Sequence, residues 1–580
     1  MKRTMKFLAS VFILLALTAC SGLLAHSEPQ FEEFGLDENR RFIETRSITV
    51  LVWERANERM PDFTQSHWAE WVRQTILEEH NIDVTFVSIA RWDEERQLSI
   101  LFAGGDTPDV AFTFYSELVD TFSELGAITD LKPLLDRYKN ALPNLYNVLT
   151  PTNIYWNLRD GELYSMLSVN LDISHRMNTF VREDWLETLG LLPPTNIDEF
   201  ETMLIAFRDN ADILLGDDAH MMIPYRLTSD IGWSGDPVIT SFIPNDITDR
   251  QWYVYGFDDR RFTMPNIKEG VRVLNSWFNQ GLLWDEFALH GSDSPLPNDL
   301  IHLGFVGSFS CHWDMPFRAE YGLITEMREN VGLQANFIVV HPFQNDAGTV
   351  RMQVPSPSRQ QTSRKLFIPS SSTEPLAALL YFDFISRLDV LKYLQLGYDG
   401  IHHLRHDDGT IELLPECPMF IAHSTPNPAR EHIWPDHLFM PSRHNFDFTP
   451  TVIGFDLGDP IMTAAIMAYQ SFPGITPEAI AAARATGERY AWHGRVTDLG
   501  RIEAEVGMRP PLAYIRDGVL RHAVVATVEN FDYVFDNSMD FYMRAGGNAI
   551  VRERQRLWVE TFGDVDNVMD GKGFERIING

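Results

Sequence analysis

Ser47-Ile48-Thr49-Val50-Leu51-Val52-Trp53 is a short, largely apolar run rich in β-branched residues, the pattern of a buried strand. His67 to Glu79 follows, with Trp68, Trp71, Val72 and Ile76 on one helical face. Asp83 to Ile89 (DVTFVSI) reads as a second strand. Asp93 to Ala103 reads as a helix closed by Gly104-Gly105, and Pro108 to Phe114 (PDVAFTF) as a third strand. Strand and helix alternate, so the spacing predicts an α/β fold with a parallel sheet and helices on its faces.

Further along, Asp160-Gly161 is a turn signal. Leu189-Gly190-Leu191 leads through Pro193-Pro194 into a helix that Asn196 caps, with Glu199 as its capping-box partner. Val271 to Gln280 reads as a helix ended by Gly281. Lys365 to Ile368 reads as a strand returning to the first lobe, and Thr373 to Ser386 as a helix with Pro375 in its first turn. Phe531 to Phe562 reads as a long helical tail interrupted at Gly546-Gly547.

The N-terminus reads as an address. Lys2, Arg3 and Lys6 precede the apolar run Phe7 to Leu17, which is of secretory length and too short to span a bilayer. The run ends in Leu17-Thr18-Ala19-Cys20, which resembles a bacterial lipobox, with Cys20 as the lipid attachment site after cleavage of residues 1–19. Buried acyl CH₂ groups contribute about 0.8 kcal/mol each, so two or more chains anchor stably. Residues 20–46, polar and acidic, are expected to be a tether. The localisation that follows is the outer face of the cell membrane, held by lipid alone.

Bulk composition sets limits. The 580 residues are enough for two or three domains, and 44% hydrophobic with 22% charged residues is normal for a globular chain. Asp and Glu outnumber Lys and Arg by 81 to 48, a net charge of −33. Such a field repels phosphate backbones, which argues against nucleic acid as a partner. Cys20, Cys311 and Cys417 are too few for a disulfide framework, and Cys311 and Cys417 read as buried apolar thiols, with a disulfide between the two as the other reading.

Several segments in order resemble one family. Leu101-Phe102-Ala103-Gly104-Gly105-Asp106-Thr107-Pro108-Asp109-Val110 is similar to its Gly-Asp-x-Pro-Asp segment, and Leu125 to Leu131 to its Gly-x-Leu-x-Asp-Leu segment. Asp160-Gly161-Glu162-Leu163-Tyr164, Arg182-Glu183-Asp184-Trp185-Leu186 through Phe200, Gly281-Leu282-Leu283, Gly397-Tyr398-Asp399-Gly400-Ile401-His402 and Gly546-Gly547-Asn548 with Glu553 continue the series. The chain thus resembles the extracellular solute-binding proteins of ABC importers, in particular the large Gram-positive lipoproteins linked to complex sugars. Glu162 stands where the family has Lys, and Val181 where it has Tyr.

That resemblance implies a two-lobed, type II periplasmic-binding fold, with the ligand in a cleft that closes by hinge motion. The expected division is 47–160 and 351–416 for the first lobe, 161–350 for the second, and 417–580 for a mostly helical part completing the second lobe and hinge. It also implies a monomer that delivers its solute to the transmembrane subunits of a permease. A sugar-binding sensor or adhesion lipoprotein, or an extracellular glycan-degrading enzyme, would be the alternatives.

Sugars present apolar C–H faces ringed by hydroxyls, so their sites need aromatic platforms beside paired hydrogen-bonding groups. Loops at strand ends are the places to look. Trp53 and Arg55 end the first strand, with core packing as the other reading of Trp53. Trp92 follows the second strand, and Tyr115 and Ser116 follow the third, where the family makes contacts. Tyr164 is expected near the crossover, and Trp233 and Asp236 in the Gly- and Pro-rich loop 229–237. Trp313 and Asp314 stand where the family offers an aromatic to the sugar, and Tyr398 and Asp399 sit in a glycine-flanked loop. His402, His403 and His406 lie between Gly400 and Asp408-Gly409, a loop context that favours polar contacts over metal binding. Zinc-protease, nucleophile-elbow and phosphate-loop motifs are absent, so neither catalytic residues nor cofactors are expected. The ligand expected is an oligosaccharide, neutral or weakly charged, with Arg55 and Arg91 the obvious cations should it be acidic.

Overall fold

In the computed structural model the first strand, β1 (Arg46–Glu54), runs parallel to β2 (Ile82–Ala90) in register from Arg46↔Ile82 to Glu54↔Ala90. The structure describes most of residues 31–568. Outside the described residues lie 1–30, 55–62, 91–92, 150–153, 155–157, 168–176, 292–293, 312–314, 318–322, 344–351, 354–364, 391–392, 394–397, 406–409, 414–450, most of 453–501, 506–507, 569–580 and scattered single positions.

Helix α1 (His67–His80) joins β1 to β2, packing Val72 and Ile76 into the core. Helix α2 (Glu94–Gly104) follows β2 and stops at Gly105, whose φ of 76° only glycine adopts readily. Next comes β3 (Ala111–Thr113), which continues a parallel bridge between Val50 and Val110. Strand β4 (Met166–Leu167) is the last described piece of this sheet before the chain crosses. The first lobe therefore extends to Leu167, beyond the expected boundary at 160.

The second lobe opens with β5 (Asn178–Arg182). Helix α3 (Ile197–Asp209) begins where Asn196 Oδ1 accepts the Glu199 N–H at 2.9 Å. The Glu199 carboxylate does not close a box on Asn196. It accepts the N–H and hydroxyl of Thr195, both at 2.8 Å, and these bonds hold its pKa below the usual carboxylate value. Helix α4 (Ile267–Asn279) ends before Gly281 at φ 69°. Helix α5 (Leu296–His302) leads into β6 (Ser308–Cys311), and β7 (Phe337–Val340) completes the set. Strand β5 pairs antiparallel with both β6 and β7. On the other side of β6, the segment from Ile223 to Arg226 makes parallel bridges to Val306, Phe309 and Leu283.

The chain then returns. Strand β8 (Lys365–Phe367) pairs antiparallel with β3 and β4 in the first sheet, and helix α6 (Pro375–Ile385) packs behind it, nearly all its residues buried. Each sheet thus holds one strand running against its neighbours, β8 in the first and β5 in the second. The expectation of parallel sheets is corrected at these two strands. Parallel neighbours need a crossover connection within one sheet, and a strand that arrives from the other lobe is free of that constraint.

The tail forms α7 (Arg509–Val525), α8 (Phe531–Tyr542) and α9 (Asn548–Phe562), the last two joined by a π-helical turn at Met543–Gly547. It packs on the second lobe: Asn275 Nδ2 in α4 donates to the carbonyls of Ala523, Val524 and Ala526. Residues 31–45, expected as tether, are folded. Phe31–Phe34 forms a 3₁₀ turn, and Leu36 and Phe42 are buried in the first lobe's core. Two apolar side chains suffice to dock an otherwise acidic segment. Among the described residues no helix is long and apolar enough to cross a membrane.

Candidate ligand cleft

The crevice outside the carboxyl ends of parallel strands is where α/β sheets bind ligands. In the first lobe, Glu54 stands opposite Ala90, and the Val50↔Val110 bridge brings Trp53 level with Thr113. The carboxyl ends of β1, β2 and β3 are therefore level with one another, at one edge of the sheet. Arg55, Trp92, Trp313, Asp314, His402, His406, Cys20 and Cys417 lie outside the described residues. Cys311 is buried.

Three anticipated contacts occupy other positions. Trp53 is 1% exposed and packs edge-on against Phe112 at 4.5 Å, so the core reading of this residue is the one the fold adopts. Tyr164 precedes β4, which runs parallel to β3, so it lies toward the opposite end of the sheet from the crevice. Its hydroxyl donates to Glu162 Oε2 at 2.6 Å, and this bond, more than burial, pushes its pKa up to about 12. Asp236 is buried in an ion pair with Arg261. The loop expected at 229–237 is instead helical at Ile231–Ser234 and Asp236–Thr240, with Pro237 in the first turn of the second helix, where proline suits a helix.

The remaining candidates line the edges. Tyr115 is 43% exposed, and its N–H donates to Thr113 Oγ1 at 3.1 Å. Thr113 Oγ1 in turn donates to the buried Glu94 Oε1 at 2.5 Å, so the turn after β3 is tied to the start of α2. Ser116 opens the helix Ser116–Glu124. Tyr398 is 48% exposed and accepts a hydrogen bond from Trp71 Nε1 at 3.0 Å. Tyr393 stacks on Trp71 at 4.0 Å and lies 4.5 Å from Tyr398, completing an aromatic ledge. Trp71 is in the first half of α1, which leaves the carboxyl end of β1. Asp399 is exposed, with Oδ1 4.0 Å from His403 Nε2.

In the second lobe, Trp233 is half-buried and Arg260 lies 5.0 Å over its ring, itself paired to Asp230 at 2.8 Å. Ser234 fixes this helix to the strand end. Its hydroxyl accepts the Thr228 N–H at 3.0 Å, and its carbonyl accepts the Tyr225 hydroxyl at 2.8 Å. Gly232, Asp236, Ile239, Arg260, Phe262, Ile267 and Leu520 line a small recess of about 10 Å³, with room for no more than a water-sized group.

Trp71, Glu94 and Lys365 were not legible as site residues. Trp71 matches a core helical face, and Glu94 matches a first-turn acid that complements the helix dipole. Lys365 is buried opposite Thr113 at the first residue of β8, a position defined only by the crossing. The two departures from the family motifs are absorbed structurally: Val181 is fully buried, and Glu162 accepts the Tyr164 hydroxyl. Among the described residues no group of three or more His, Cys, Asp or Glu could hold a metal ion.

No family model matches the chain. "Lipoprotein LipO" of Bacillus subtilis (strain 168) is 24% identical over 241 residues, 39% of this chain and 43% of that one. The match thus spans less than half of that relative's length. Among solved structures, the Streptococcus pneumoniae ABC-transporter substrate-binding protein FusA in complex with kestose superposes with a TM-score of 0.62. It is 16% identical, over 90% of this chain and all of that one. The alginate-binding protein AlgQ2 without calcium ion gives 0.57 at 16% identity, over 89% and 98% of the two chains. A solute-binding protein of Bifidobacterium longum infantis associated with a transporter of HMO gives 0.56 at 13% identity, over 89% and 99%. The chain has the two-lobed type II fold of these substrate-binding proteins.

Proposed function

We propose that this protein is a receptor that captures an oligosaccharide between its lobes and delivers it to the transmembrane subunits of an ABC importer. In this reading it is held at the outer membrane face by lipid on Cys20, and it binds its solute without transforming it. The observation that carries the reading is the pairing of two sheet edges, each furnished with accessible aromatic groups: Tyr115 and the Trp71–Tyr398 ledge on one, Trp233 under Arg260 on the other. Flat rings beside hydroxyls and guanidinium groups suit the alternating apolar and polar faces of a sugar. The sugar ligands named for fold relatives such as FusA add support.

The test is a thermal-shift and calorimetric screen of the Cys20→Ser chain against plant and microbial oligosaccharides. A ligand bound only by the native state stabilises it by about 2.7 kcal/mol at a hundredfold excess over Kd. A saturable shift with one sugar class, with the sugar recovered intact, is the expected result. Response to peptides alone would remove the carbohydrate assignment, and cleavage of the sugar would remove the receptor reading.

A further inference from the structure

Arg226 stands at the carboxyl end of the segment that pairs with β6, bridged in parallel to Phe309. It is only 4% exposed. Four other buried arginines have a carboxylate: Arg182 has Asp184 at 2.7 Å, Arg261 has Asp236, Arg516 has Asp258 and Arg554 has Glu505. Arg226 has none among the described residues. Its guanidinium lies over the Phe309 ring at 5.1 Å, and its hydrogen bonds all leave from Nη1, to Asn298 Oδ1 at 3.1 Å and to the Pro297 carbonyl at 3.4 Å. Nε is buried without a partner. Burial holds the pKa of the group below the ordinary arginine value, though arginine stays charged.

Burying a charge is costly unless an opposite charge meets it. The position of this charge is specific. Asn298 and Pro297 are in the first turn of α5, which runs down to the start of β6, so the guanidinium lies at the crevice end of the second sheet. Seven residues on, Trp233 is fixed to the same strand end through Ser234, Thr228 and Tyr225. An aromatic ring and a buried cation without a carboxylate among the described residues, both held at one strand end, match a pyranose that carries a carboxylate.

We propose that the ligand is an acidic oligosaccharide, and that a uronate carboxylate is received by the Nε–Nη2 edge of Arg226 while its sugar ring lies against Trp233. This rests on the oligosaccharide-receptor reading above and names the substrate class of that site. A guanidinium edge matches a carboxylate with two parallel hydrogen bonds. The chain's net charge of −33 repels anions at long range, so a local buried cation is what recognition of an acidic sugar requires.

The experiment is calorimetry at fixed ionic strength with trigalacturonate and trimannuronate, each beside its carboxyl-reduced neutral counterpart, on the Cys20→Ser chain and its Arg226→Gln and Arg226→Lys variants. The expected result is that one acid binds about 10- to 100-fold tighter than its neutral counterpart. Arg226→Gln should erase that preference, and Arg226→Lys, which keeps charge without the fork, should retain part of it. A melting curve on each variant separates a lost site from a lost fold. Equal binding of acid and neutral sugar, or a preference that survives Arg226→Gln in a folded variant, overturns the inference while leaving the oligosaccharide receptor standing. Binding of peptides and of no sugar overturns both.

Discussion

Arg516 in α7 reaches across the chain to Asp258, its Nη1 lying 2.9 and 3.0 Å from the two carboxylate oxygens, with both side chains almost fully buried. Asp258 also accepts the Arg260 N–H at 2.8 Å and lies 3.4 Å from the Tyr542 hydroxyl. One carboxylate therefore joins the tail helices to the segment that presents Arg260 to Trp233. Removing one partner of a buried pair strands the other charge and costs about 3–5 kcal/mol. Arg516→Met should lower stability by that order, and adding Asp258→Asn should recover part of it. Urea denaturation of the three variants checks this; an Arg516→Met midpoint equal to wild type would mean the tail is not held by this pair.

His80 closes α1 against the first lobe's core, with Nδ1 3.1 Å from the Arg40 carbonyl and its ring edge-on to Phe384. Arg40 also lies 3.6 Å from the Asp383 carboxylate. Burial outweighs these neighbours and lowers the imidazole pKa below 6.5. The unfolded chain therefore takes up the proton first. The stability from neutral His80 is fully present above about pH 6.5 and is lost as pH falls from there through the folded value. Denaturation midpoints at pH 7.5 and 5.5 should fall more steeply for the wild type than for His80→Gln. Identical slopes would contradict the assignment.

Much of the fold was legible because it rests on local chemistry. Asn196 caps a helix, Gly105 and Gly281 end helices at positive φ, and the Gly546-Gly547 pair marks the break between the tail helices. The reversed strands β5 and β8 were not legible, because strand direction depends on where the chain comes from and not on apolar pattern. The same limit applies to Trp53. An aromatic at a strand end reads alike whether it faces a crevice or the core, and only Phe112 beside it decides. Arg226 was passed over for the opposite reason: a single arginine after a tyrosine is unremarkable until its burial, without an acid beside it among the described residues, is seen in space.

Gly270 marks a close helix approach in the second lobe. A Cβ there would sit 2.5 Å from the Ile239 Cα and 2.7 Å from its carbonyl oxygen, both backbone atoms that cannot turn aside. Gly518 in α7 is helical too, but a Cβ there meets nothing within 4 Å. Alanine favours a helix interior by about 1 kcal/mol over glycine. Gly518→Ala should therefore stabilise by up to that amount. Gly270→Ala should destabilise, because overpacking costs about 1–3 kcal/mol and exceeds the helical gain. Thermal unfolding of both variants gives opposite signs if α4 packs against residue 239 as described.

Trp53 and Trp233 were equivalent in the sequence and are not equivalent in the fold. Trp53 is enclosed between β1 and Phe112, so Trp53→Ala should cost about 3–5 kcal/mol of stability, the range for emptying a core aromatic site. Any loss of ligand affinity in that variant should follow the loss of folded protein and disappear when affinity is measured per folded molecule. Trp233 is only half-buried, with one face under Arg260 and its helix tied through Ser234. Trp233→Ala should shift the melting temperature far less and still weaken sugar binding severalfold, while Trp233→Phe, which keeps an aromatic face, should retain most of the affinity. Measuring both stability and calorimetric Kd for the three variants separates the roles. If Trp233→Ala binds as the wild type does, the stacking surface of the second lobe must be sought among its neighbours at the same strand ends.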